Sequence, residues 1–177
     1  MDSGTRRFTD TWLIDDGGTT HKGDFLLHQD GSFSESKGDE DVIETIDGSN
    51  RLVTRSLQNW HTHLGMILNR GMGEGLPLLE WLETAIFPVE KGLTSELVEV
   101  GTRAAAAEMI ATGTTYACDM YYYTQTIGET LAETGVRATL CGPITDGLTP
   151  NFKPGSGDAL RHMEGLITGP SPRPGRI

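Results

Sequence analysis

A change of hydrophobic period near residue 55 constrains this chain more than any other feature. Before it, short apolar or β-branched segments at residues 8–14, 25–27, 42–46 and 52–54 are separated by Asp16-Gly17-Gly18, Asp30-Gly31 and Asp47-Gly48. Asp-Gly supplies the positive φ angles of tight hairpin turns, so residues 1–55 read as a β-rich region of three or more short antiparallel strands. A region of that size buries little by itself and calls for a second layer, as in a β-sandwich. After residue 55 strands alternate with helices. A strand at 57–61 precedes a helical pattern opened by Pro77, with apolar residues at 78, 79, 82, 85 and 86. Thr94 is placed to cap a helix running to about Ile110, which Gly113 ends. A strand at 115–119, a helix at 126–134 closed by Gly135, a strand at 136–141 and a short helix at 158–166 complete a βαβαβα order.

Such alternation implies a parallel sheet with crossover helices, either open and doubly wound or closed as a (β/α)8 barrel. No phosphate-binding loop follows the first strand: Gly71-Met72-Gly73-Glu74-Gly75 lacks the Lys-Ser/Thr of a P-loop. A complete barrel takes about 250 residues, whereas residues 56–177 hold about three βα units. The expectation is an α/β chain comprising a β-rich region (1–55) and an incomplete barrel (56–177). Its Pro- and Gly-rich end at 169–177 reads as a loop leading toward a further strand.

Charge narrows the partners. The chain carries 25 acidic against 14 basic residues, a formal charge of −11, with twelve of the acids in the first fifty residues. That balance argues against nucleic acid. No stretch approaches the roughly 20 apolar residues of a membrane span, and no leader-like apolar run follows Arg6-Arg7. Two cysteines, Cys118 and Cys141, give no disulfide framework. Cytoplasmic residence is the expectation.

His61-Thr62-His63 lies where the first strand after residue 55 ends. Alternate strand residues share a face, so both imidazoles can approach one metal ion. Two hydrogen-bonded surface histidines would show the same spacing. Around this motif stand Asn59-Trp60, Leu68-Asn69-Arg70-Gly71, Leu76-Pro77-Leu78-Leu79-Glu80-Trp81-Leu82 and Phe87-Pro88-Val89-Glu90. In order after them come residues 108–115, Cys118-Asp119-Met120-Tyr121 and residues 133–138. Together these segments resemble the amidohydrolase superfamily, in particular the branch of S-adenosylhomocysteine and methylthioadenosine deaminases and chlorohydrolases.

The resemblance implies the N-terminal part of a metal-dependent hydrolase with a small-molecule substrate. Its reaction would be deamination of an aminopurine nucleoside or related ring at one divalent ion, zinc or another first-row metal such as iron. It makes His61 and His63 metal ligands and Glu90 the carboxylate that accepts ribose hydroxyls. The remaining ligands and the proton shuttle are expected downstream, with no catalytic residue inside this chain and an inactive isolated fragment. Trp81 could wall the pocket, although its helical spacing also suits a core position. Asp119, at the end of the second strand of this region, is placed for a hydrogen bond behind the ligands. Tyr121, Tyr122 and Tyr123 cannot all face one way. Relatives of this kind often form homo-oligomers. Two positions depart from the pattern: Arg55-Ser56 replaces Pro-Gly before the first barrel strand, and Gly142 occupies the site of an arginine that holds a substrate carboxylate. Chlorotriazine-type or guanine-type ring hydrolysis is the alternative chemistry, and a truncated non-catalytic relative is the alternative class.

Overall fold

The computed structural model describes residues 4–145, 149–153, 155 and 157–168. The expected terminal loop at 169–177 lies outside the described residues. Two units divide the chain between Arg55 and Ser56.

In the first unit, β1 (Arg6–Ile14), β2 (Thr20–Leu27), β3 (Phe33–Glu35), β4 (Glu44–Asp47) and β5 (Leu52–Val53) form one sheet. Its order is β3-β2-β1-β4, and β5 also pairs with β1. Two Asp-Gly signals do make hairpins. Asp15 Oδ1 accepts from the Gly17 and Thr19 amides, each at 2.9 Å, while Gly18 takes φ +79°. Asp30 accepts from Ser32, and Gly31 takes φ +85°. The third signal does something else, which corrects the all-antiparallel expectation: β4 and β5 both run parallel to β1. Gly48 has no positive φ among the described residues. It is required because a Cβ there would stand 1.4 Å from Oγ1 of the buried Thr11. Its amide instead donates to the Thr9 carbonyl at 2.8 Å and continues the ladder. Where β1 slips register against β2, between Phe8 and Thr11, Asp10 adopts φ +53° and its amide donates to Asp24. That is a β-bulge.

The second unit carries β6 (Leu57–Thr62), β7 (Thr114–Met120) and β8 (Arg137–Cys141), parallel and in the order β6-β7-β8. This is the mixed α/β arrangement that the alternation of periods implies. The connection from β6 to β7 contains a 3-10 segment (Leu64–Asn69), α1 (Leu78–Trp81), a π-helical turn (Leu82–Ile86), α2 (Phe87–Glu90) and α3 (Ser95–Ala111). Helix α4 (Thr124–Thr134) joins β7 to β8, and α5 (Asp158–Thr168) follows. Thr94 caps α3 by accepting from the Leu97 amide, and Gly135, at φ +84°, closes α4.

One sheet face packs on α3 and α4. Ala117 and Ala138 meet Val98, Ala105, Ala106, Met109, Ile127 and Leu131 in a continuous core. Alanines at the buried positions of α3 let the helix lie close to the strands. The helical pattern after Pro77 is only partly a core pattern, however: Leu78 and Leu79 are 67% and 71% exposed. The segment stays helical from Leu78 to Glu90, with a π-helical stretch at Leu82–Ile86 shifting its register and Pro88 in the first turn of α2. Its apolar side chains Leu82, Ile86 and Phe87 line a cleft.

Candidate metal and ligand site

All of the site's parts come from the C-terminal ends of the three parallel strands and the segments that follow them, where α/β sheets place their ligands. His61 sits near the end of β6 and His63 just beyond it. Their ring centroids are 5.3 Å apart with the planes nearly perpendicular. Nδ1 of His63 lies 2.5 Å from the Met120 carbonyl. A carbonyl can only accept, so Nδ1 carries the proton and Nε2 keeps its lone pair for a ligand. Holding one imidazole nitrogen on a backbone oxygen is how metal-binding histidines are oriented. These two residues therefore fit a first-row divalent ion. Among the described residues no group of three or more His, Cys, Asp or Glu side chains stands ready to hold a metal.

Asp119 is 1% exposed, and its Oδ1 accepts from the Leu64 amide at 2.6 Å. It therefore grips the backbone immediately after His63, and the contact to the His63 ring comes from the next residue's carbonyl. Its other oxygen is buried without a hydrogen-bond partner. Burial pushes its carboxyl up to about 7, against the smaller opposing effect of the Leu64 amide.

Next to His63 a cleft of about 170 Å³ opens, lined by Met66, Trp81, Leu82, Ile86, Phe87, Glu90, Met120, Tyr121, Tyr122 and Pro143. Glu90 and Trp81, both singled out in the sequence, thus reach the same cavity as His63, while His61 lines the adjoining hollow beside Arg70 and Glu108. Trp81 Nε1 donates to the Met72 carbonyl at 2.8 Å, which fixes the indole against the cavity. Glu90 is 7% exposed and accepts from the Tyr121 hydroxyl at 2.9 Å. Burial raises its carboxyl above the usual range, and the tyrosine's hydrogen bond partly offsets this. Burial likewise raises the Tyr121 and Tyr122 phenols.

The three tyrosines divide as the sequence suggests. Tyr121 and Tyr122 line the cleft, and Tyr123 donates to the Leu93 carbonyl from a left-handed backbone position at φ 57°. Sequence reasoning did not assign the Tyr121–Glu90 bond or the role of the Met120 carbonyl. The first spans 31 residues and the second is a backbone group, so neither leaves a local signal. At Gly142 a Cβ would stand 2.9 Å from Thr124 Oγ1 and 3.0 Å from Met163 Sδ, so this position accepts no larger side chain without a shift.

Residues 52–164 match the model of the amidohydrolase family. The chain belongs to that family. A 5-methylthioadenosine/S-adenosylhomocysteine deaminase of Syntrophobacter fumaroxidans is 42% identical over 126 residues, covering 71% of this chain and 28% of that protein. A 5'-deoxyadenosine deaminase of Methanococcus vannielii is 38% identical over 121 residues, covering 68% and 29%. The amidohydrolase chain thus spans under a third of the length of these relatives. Among solved structures, an adenosine deaminase from Xanthomonas campestris with bound zinc superposes with a TM-score of 0.80. It is 22% identical and covers 96% of this chain and 41% of its own. At that identity the likeness speaks for the fold. No helix among the described residues is long and apolar enough to cross a membrane.

Proposed function

We propose that this amidohydrolase chain is the N-terminal part of a metal-dependent enzyme that hydrolytically deaminates an aminopurine nucleoside. In this reading β6, β7 and β8 are the first three strands of a (β/α)8 barrel, and residues 1–55 contribute to a composite β-sandwich. The observation that carries the proposal is the His61–His63 pair, with His63 locked on the Met120 carbonyl beside the cleft that holds Glu90. His61 and His63 would hold one divalent ion, zinc being the natural choice for imidazole donors. When bound, such an ion lowers the pKa of water toward about 7 and supplies hydroxide at neutral pH. In a protein of the relatives' length, further ligands and the proton shuttle would come from later strands.

The chain's own residues account for positioning. Met120 O keeps His63 in the ligating tautomer, and Asp119 holds the turn that carries it. Glu90 accepts sugar hydroxyls, and Trp81, Ile86 and Phe87 exclude water from the ligand's apolar surface. Glycine at 142, where the resemblance expects an arginine that holds a substrate carboxylate, supports a nucleoside without an anionic tail. Zinc binding to the 177-residue chain, followed by competition with a chromophoric chelator, tests the metal assignment. His61→Ala and His63→Ala should each weaken binding at least about tenfold, and wild-type binding should fall more steeply in acid than either variant's, because protonation of both imidazoles opposes it. Unchanged affinity in both variants overturns the assignment. Ammonia release from methylthioadenosine and 5'-deoxyadenosine, and chloride release from a chlorotriazine, measured on a protein of the relatives' length, separate the nucleoside reading from the triazine one.

A further inference from the structure

Tyr121 holds Glu90 from the opposite side of the cleft. Its backbone is fixed twice: the amide donates to the Cys141 carbonyl at 3.2 Å, and its own carbonyl accepts from Thr124 Oγ1 at 3.1 Å. Its ring is 3% exposed and packs over Gly65, where a Cβ would stand 2.8 Å from the ring edge. From this anchored ring the hydroxyl reaches Glu90 Oε1 at 2.9 Å. Glu90 itself ends the short helix α2 and is 7% exposed, with the phenol as the hydrogen-bond partner of its Oε1. One carboxylate oxygen is therefore committed to the phenol, and the plane of the group is set by a partner 31 residues away.

We infer that Tyr121 is a positioning residue that orients Glu90 toward a vicinal diol and thereby gives the cleft a preference for ribosides over 2'-deoxyribosides. A freely rotating carboxylate must give up that freedom to meet two adjacent hydroxyls at once. A carboxylate with one oxygen tied offers its remaining lone pairs in a fixed direction, so two adjacent hydroxyls gain where one does not. This inference rests on the reading of Glu90 as the hydroxyl-binding carboxylate, and the two fail separately.

The test is isothermal titration of the zinc-loaded 177-residue chain with adenosine and 2'-deoxyadenosine, in wild type, Tyr121→Phe, Glu90→Gln and the double variant. Wild type should favour adenosine. Tyr121→Phe keeps the ring and should lower the adenosine/deoxyadenosine affinity ratio about fivefold or more, the size of one net hydrogen bond. Glu90→Gln should abolish the preference, and adding Tyr121→Phe to it should change nothing further. A ratio retained in Tyr121→Phe but lost in Glu90→Gln overturns the role of Tyr121 and leaves the diol reading intact. No preference in wild type, or one untouched by Glu90→Gln, overturns the diol reading and the inference with it. If Tyr121→Phe does not fold, Gly65→Ala presses on the same ring and takes its place, with the same expected loss of the ratio.

Discussion

Gly101→Ala should destabilise the second unit, although alanine is the better helix former. Helix α3 crosses the 3-10 segment at Gly65, and a Cβ on Gly101 would stand 2.6 Å from the Gly65 carbonyl oxygen, 3.1 Å from its Cα and 3.2 Å from its carbonyl carbon. All three atoms are backbone, so no rotamer change relieves the clash; the helix or the turn must move. Replacing an unobstructed helical glycine by alanine gains about 1 kcal/mol, and overpacking costs about 1–3 kcal/mol. With backbone as the obstacle the upper part of that range applies, leaving a net loss of about 1–2 kcal/mol. For a chain of this size the melting temperature should fall by roughly 2–8 °C. Gly165→Ala in α5, where no atom lies within 4 Å of the added Cβ, is the control and should be neutral or stabilising. Urea unfolding followed by circular dichroism reads both. Because Gly65 follows the turn that carries His63, Gly101→Ala should also weaken zinc binding. A Gly101→Ala chain as stable as wild type, with unchanged slope m, would refute the close crossing of α3 over Gly65.

Further outcomes follow from the core, a cap and a buttressed loop. Ile127→Ala removes a side chain that is 0% exposed and should cost about 2–5 kcal/mol in a urea titration. Thr94→Ala deprives the Leu97 amide of its acceptor and should cost about 1 kcal/mol, recovered in large part by Thr94→Asp. Glu40 accepts from the Lys37 amide at 2.5 Å, with further hydrogen bonds from Ser36 and Arg7. These hold its carboxyl down to about 2, from an ordinary 4.5, the Lys37 amide contributing most. A depressed folded-state value means that the stabilisation is complete above pH 4.5 and drains away as pH falls toward 2. The gap in urea midpoint between wild type and Glu40→Gln should be widest at pH 7 and close near pH 2; a gap independent of pH would contradict the role given to that carboxylate.

The sequence alone determined the order of elements after residue 55, because each signal there is local. Hydrophobic period, the Thr94 cap and the Gly135 stop act within a few residues of themselves, and the structure has all three. The His-x-His spacing was legible for the same reason, since alternate residues of an extended segment share a side. Tertiary structure decided what depends on residues far apart in the chain. Asp47-Gly48 carries the same dipeptide as the two hairpins, yet it serves a parallel pairing, because the strand it meets is β1 and Gly48 must clear Thr11. Leu78 and Leu79 have core spacing but stay exposed, since a helical period marks an apolar face and only tertiary packing decides whether it is covered. The site's electrostatics are also tertiary: Asp119 and Glu90 are ordinary carboxylates in the sequence, and only packing takes them out of water. The proton on His63 is fixed by a carbonyl 57 residues later. Local chemistry names the donors, whereas the direction in which each one points is set by contacts formed only when β6, β7 and the segment after Pro77 come together.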